Sequence, residues 1–156
     1  MKKVLFVCTG NTCRSPMAEA LFARMLQLNG CPAGEIKVES AGIYAWEDDE
    51  ATPEAIEVMN QLGIDLSGHR ARPLNETMVQ EADLILTMTR QHRDKLQDLF
   101  PHIRNKIYTL AEYAGQPEQE ILDPFGQSIE VYQQTLQQIK DLLEEIIASQ
   151  RGILPE

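Results

Sequence analysis

The chain has 156 residues, 43% of them hydrophobic and 24% charged, with 14 basic against 24 acidic side chains and a formal net charge of −10. That length suits a single domain, residues 1–156, able to bury about two-thirds of its unfolded surface, and the composition excludes intrinsic disorder as the main state. The acidic balance argues against nucleic acid and anionic membranes as partners but leaves room for a small, locally positive anion site.

The chain opens on Met1-Lys2-Lys3, and the apolar run that follows stops at Thr9-Gly10, too short for a signal-peptide core. No apolar run reaches transmembrane length, so a cytoplasmic protein is expected. Val4-Leu5-Phe6-Val7 is a continuous β-rich run, the pattern of a strand buried on both faces. Ser15-Pro16 predicts a helix start, with Ser15 as N-cap, and Asn29-Gly30 its end. Strands are predicted at Ile36–Ser40, Leu84–Met88 and Ile107–Leu110. Helices are predicted from Thr52-Pro53 to a stop at Gly63, and over Gln91–Leu99. In the last helix Ile129, Tyr132, Leu136, Ile139, Leu143 and Ile146 share one face, and the tail Gly152–Glu156 is expected to fray. Alternating strands and helices imply a small doubly wound α/β fold: about four parallel strands with helices on both faces. Ligands of such sheets sit at the carboxyl ends of the strands, where Cys8 stands.

Cys8, Cys13 and Cys31 form neither a secreted disulfide framework nor a zinc-ligand spacing. The loop Cys8-Thr9-Gly10-Asn11-Thr12-Cys13-Arg14 joins a buried strand to a helix start. Its free amides and the helix dipole suit an anion, phosphate above all. Helix N-termini and nearby cations favour a thiolate, and the planar fork of Arg14 suits two phosphate oxygens. Cys8 and Arg14, five residues between them, therefore read as one unit for phosphoryl transfer: a sulfur to attack phosphorus, amides and a guanidinium to hold the oxygens. The loop lacks the glycine and lysine pattern of nucleotide phosphate loops.

The stretch Val4 to Pro16 resembles the signature of the low-molecular-weight protein tyrosine phosphatases. Ser40-Ala41-Gly42, His69-Arg70-Ala71-Arg72, Ala82 to Met88 and Asp123-Pro124 extend the resemblance in order along nearly the whole chain. The resemblance implies roles. Cys8 is the nucleophile that becomes a cysteinyl-phosphate, and Arg14 the phosphate clamp. Asp123 is the general acid and then the base that activates water. Asn11, helped by Ser40, orders the loop, and Ser15 directs a hydroxyl at the thiolate, a reading that stands beside the N-cap. Thr9, Gly10, Asn11, Thr12, Cys13, Arg14 and Ser15 surround the phosphate. Thr12, where the tyrosine enzymes carry Ile, and Phe125, where they carry Tyr, resemble the bacterial protein arginine phosphatases. The Thr12 hydroxyl and the Phe125 ring suit a planar, donor-rich guanidinium.

The expected activity is thus hydrolysis of phosphoarginine in proteins, with phosphotyrosine as the alternative and a phosphocarrier or phosphate-binding module behind both. Arsenate reductases resemble this loop but need cysteines downstream, and none follows Cys31. Cys8 and Cys13 form a candidate redox pair. His69, His92 and His102 share no metal-ligand spacing and read as surface or structural histidines. Arg70 and Arg72 either flank the site or balance acids, and Trp46 either walls the pocket or packs on the surface. No metal or organic cofactor is expected. The expected partners are phosphorylated proteins, and the expected state is a monomer.

Overall fold

A computed structural model describes residues 2–149. The first strand, β1 (Lys2–Cys8), runs through the middle of the sheet, flanked by β2 (Ile36–Gly42) and β3 (Leu84–Thr87), with β4 (Ile107–Thr109) beyond β3. All pairings are parallel, in the order β2-β1-β3-β4, with Cys8 opposite Gly42 and Val7 opposite Thr87. The strand order reverses between β1 and β3, and that reversal opens a crevice at the carboxyl ends of these strands.

The strand period of two assigns the two faces of β1 to separate cores. Val4, Phe6 and Cys8 join the larger core with α1 (Arg14–Leu28), α2 (Pro53–Asn60), α5 (Leu110–Tyr113) and α6 (Ile129–Ser149). Phe6 meets the edge of Phe22 there, ring centroids 5.8 Å apart at 83°. Leu5 and Val7 join the smaller core with Val79 of α3 (Glu76–Glu81) and Leu96 of α4 (Arg90–Leu99). Burial on both faces is why β1 reads as an unbroken apolar run. In α6 the predicted face is buried from Tyr132 to Ile146, with Thr135 and Leu142 added and Ile129 only half-buried.

Several elements differ from the sequence reading. Ser15 is not the N-cap of α1: the helix begins at Arg14, Cys13 takes the cap position, and no side chain caps it. The Ser15 hydroxyl is turned to the Cys8 sulfur instead. Thr52 does cap α2, accepting from Ala55 N, but the helix stops at Asn60 and Leu62 lies exposed in the following turn. Leu110 opens α5 rather than closing β4. The Thr109 hydroxyl accepts from Glu112 N while Thr109 N donates to the Glu112 carboxylate, a reciprocal cap that starts a helix. The predicted fraying tail lies outside the described residues. Among the described residues no helix is long and apolar enough to cross a membrane.

Candidate active site

The loop from Cys8 to Arg14 crosses the crevice between β1 and β3. Its carbonyls are tied outward: Cys8 O accepts from Ile43 N, Thr9 O from Tyr44 N, Asn11 O from His69 Nε2 and Thr12 O from Thr52 N. Of the loop amides, Asn11 N donates to Cys8 Sγ at 3.3 Å. Asn11 holds the bend at φ +56°, a left-handed conformation that asparagine tolerates better than most residues. Gly42 gives the loop room, because a Cβ there would stand 2.6 Å from Thr9 O and 2.9 Å from Asn11 N.

The Asn11 side chain is fully buried and uses both its amide hydrogens and its oxygen. Its Nδ2 donates to Ser15 Oγ at 2.8 Å and Ser40 Oγ at 2.9 Å, and its Oδ1 accepts from Arg72 N at 2.9 Å. Ser40 in turn donates to Glu19 Oε1, and burial pushes the Glu19 carboxyl pKa up. Since Ser15 Oγ accepts from Asn11, its own proton is free for Cys8 Sγ, 2.9 Å away. The 2%-exposed sulfur thus meets two donors, the Asn11 amide and the Ser15 hydroxyl.

Arg14 lines the same pocket as this sulfur and is 4% exposed. Its Nη1 donates to Ile121 O at 2.8 Å, and Nη2 stands 3.7 Å from Asp123 Oδ2. Its buried Nε has no hydrogen-bond partner among the described residues. An uncompensated buried donor is costly, and an oxyanion in the loop would satisfy it. Asp123 spans the mouth: Oδ1 accepts from Phe125 N at 3.1 Å and from Cys13 Sγ at 3.5 Å. Burial, then the neighbouring Cys8 and Asp123, push the Cys13 thiol pKa up to about 12, so it stays protonated. The resulting pocket, about 200 Å³, is walled by Cys8, Thr9, Gly10, Thr12, Cys13 and Arg14 on the loop side and by Asp123 and Phe125 opposite.

The predicted site residues therefore gather in two shells of contact. Asn11, Ser15 and Ser40 lie behind the loop and brace it, while the others line the pocket. Trp46 does not wall it: the side chain is 79% exposed. Arg72 braces the loop through its amide, and its guanidinium reaches Ser40 O and Glu39. Arg70 pairs with Glu50 instead. Sequence reasoning passed over Glu19 and read His69 and His92 as surface or structural histidines without placing them at the loop. His69 is tied to Asn11 O, and His92 Nε2 lies 2.9 Å from Thr9 Oγ1. Among the described residues no group of three or more His, Cys, Asp or Glu is placed to hold a metal ion.

Phosphoryl transfer through sulfur is the chemistry this crevice suits, and fold and loop together define a cysteine-dependent protein phosphatase. The chain belongs to the low molecular weight phosphotyrosine protein phosphatase family, whose model matches residues 3–151. It is 43% identical over 143 residues to the protein-arginine-phosphatase of Bacillus subtilis, covering 92% of this chain and 93% of that protein. It is 37% identical over 145 residues to the low molecular weight protein-tyrosine-phosphatase PtpB of Staphylococcus epidermidis, covering 92% of this chain and 96% of that one. A solved structure of a YwlE arginine phosphatase mutant with a phosphorylated active-site serine superposes with a TM-score of 0.89. It is 41% identical and covers 96% of this chain and 95% of that one.

Proposed function

We propose that the chain is a protein arginine phosphatase, acting through a cysteinyl-phosphate on Cys8. The Cys8 sulfur, held by the Asn11 amide and the Ser15 hydroxyl, attacks phosphorus. The loop amides of residues 9–15 and the free Arg14 Nε take the phosphoryl oxygens. Asp123 gives its proton to the leaving guanidine nitrogen as the P–N bond breaks. It then takes a proton from the water that attacks the thiophosphate, releasing phosphate and restoring Cys8. Ser40 supports the loop through Asn11.

The observation that carries the arginine reading is the Thr12 side chain in the pocket wall, a hydroxyl where the resembling tyrosine enzymes place methyls. Phe125, 65% exposed at the mouth, offers an open ring face to a guanidinium. The arginine phosphatase of Bacillus subtilis, the more similar of the two relatives described, supports the same reading. The similarity to PtpB favours phosphotyrosine as the second reading, with the same mechanism.

The test is turnover of phosphoarginine and phosphotyrosine proteins side by side, with Cys8→Ser as the blank. A preference for phosphoarginine is expected. A preference for phosphotyrosine overturns the substrate assignment, and undiminished turnover by Cys8→Ser overturns the covalent mechanism. The same reading holds residues 1–156 to be one phosphatase domain, a cytoplasmic monomer that acts on phosphorylated proteins without a cofactor. Peroxide would oxidise Cys8 to a sulfenic acid, and attack by the Cys13 sulfur would expel water and leave a reversible disulfide. Peptide mapping after mild peroxide tests this step: inactivated protein without a Cys8–Cys13 disulfide counts against it.

A further inference from the structure

We propose that His92 is a positioning residue that makes the Thr9 hydroxyl a hydrogen-bond donor to the bound phosphoryl group. The proposal rests on the reading of the pocket as a phosphoryl site and adds a specific pair to it. Thr9 follows the end of β1, and His92 sits in the first turn of α4, beyond β3, so the two face each other across the strand-order reversal. Thr89 caps α4 and holds His92 by accepting from its backbone N, and His92 Nε2 lies 2.9 Å from Thr9 Oγ1.

The Thr9–His92 bond has two possible senses, and the other ring nitrogen decides between them. His92 Nδ1 is buried and has no partner among the described residues. If the Thr9 hydroxyl donated to Nε2, the ring proton would sit on Nδ1, a buried N–H with no acceptor. The Arg14 charge and the N-terminus of α4 would both oppose it there. If Nε2–H donates, Nδ1 turns a lone pair into that same positive field, which favours it.

An imidazolium would also place a proton on Nδ1. Burial first, then Arg14, pull the His92 pKa down to about 4, against the opposing influence of Asp123 and Glu120, so the ring is neutral near neutral pH. The Nε2–H tautomer therefore donates, and Thr9 Oγ1 accepts. The one hydroxyl hydrogen of Thr9 is left for another acceptor, and Thr9 lines the pocket. A phosphoryl oxygen is the acceptor that the site would supply.

The decisive experiment is a double-mutant cycle on the full chain: His92→Ala, Thr9→Val and the pair, with His92→Gln and Thr9→Ser as conservative controls. The readouts are kcat, KM, inhibition by inorganic phosphate and the melting temperature. His92→Ala and Thr9→Val are each expected to weaken phosphate inhibition and lower kcat/KM by about tenfold, the scale of one hydrogen bond to a charged group. The double variant should be no worse than Thr9→Val alone, and His92→Gln, which keeps an N–H at the Nε2 position, should recover most of the loss. Losses that multiply in the double variant overturn the proposal, as does His92→Ala with wild-type phosphate inhibition. If His92→Ala is too unstable to assay, Thr9→Val against Thr9→Ser decides: equal phosphate inhibition in the two overturns it. Failure of the underlying reading looks different, because the wild-type protein itself would then neither turn over a phosphoprotein nor bind phosphate.

Discussion

The loop holds two thiols within one tight bend and gives them opposite surroundings. Cys8 Sγ meets the Asn11 amide and the Ser15 hydroxyl, whereas at Cys13 burial, Cys8 and the Asp123 carboxylate outweigh the Arg14 amide. A protonated, 5%-exposed Cys13 is shielded from reagents in solution. Iodoacetamide near pH 8 should leave Cys13 unmodified while the half-buried Cys31 reacts, as mass mapping of the peptides would report; modified Cys13 in folded protein would contradict the burial argument. Thr12 is the residue on which substrate choice turns. Thr12→Ile keeps the β-branched shape and replaces the hydroxyl by carbon, so the phosphoarginine-to-phosphotyrosine ratio of kcat/KM should fall by about tenfold, the cost of one lost polar contact to a charged group. An unchanged ratio removes Thr12 from the specificity argument. At this scale Cys8 and Arg14 were legible from spacing, because a strand end and a helix start bring residues of one short loop together. The Cys13–Asp123 contact was not, since 110 residues separate the pair and only the folded sheet joins them.

The loop keeps its shape through elements far from the pocket. Gly42 ends β2 beside the loop, and any Cβ there meets backbone atoms of Thr9 and Asn11 rather than the yielding end of a side chain. Gly42→Ala should therefore push the loop off the β2 end. The expected result is about a hundredfold lower kcat/KM, because small misplacements at a reacting centre are expensive. A far-ultraviolet spectrum close to wild type should accompany it, because no core side chain is altered. Wild-type kinetics would show that the loop yields without cost. Apolar periodicity made the large elements readable: β1 from its unbroken run, and α6 from the face that includes Tyr132, Leu136 and Ile139. The short helices α3 and α5 carry too few apolar residues for that signal. Their evidence lay in their caps, Asn75 before α3 and the Thr109–Glu112 box before α5. The Ser15 misreading has the same root. A serine beside a proline is a sound cap signal in isolation, but the Cys8 sulfur, seven residues away around the bend, takes the hydroxyl, as the family resemblance implied.

Across the whole molecule, the histidines left unassigned by sequence tie separate segments to one loop: His69 reaches Asn11 across 58 residues and His92 reaches Thr9 across 83. The His92 tie couples the site to stability through protons. His92 has a folded pKa of about 4 against an ordinary 6.5, so between these values the unfolded chain binds a proton that the folded chain refuses. Its contribution to stability is therefore complete above about pH 6.5 and is lost as pH falls toward about 4. Glu19 acts with the opposite sign: its raised folded pKa favours folding in acid and withdraws that support as pH rises through it. Replacing His92 by Gln removes the first effect and leaves the second. Urea midpoints measured between about pH 7 and about pH 4 should fall less steeply for His92→Gln than for wild type, with the two curves diverging only below about pH 6.5. Parallel curves would mean that His92 protonates in the folded protein as it does in the unfolded chain. The ring would then carry a proton on both nitrogens in mild acid, leaving the Nδ1 hydrogen in the field of Arg14 and removing the electrostatic ground on which the direction of the Thr9 hydrogen bond was assigned.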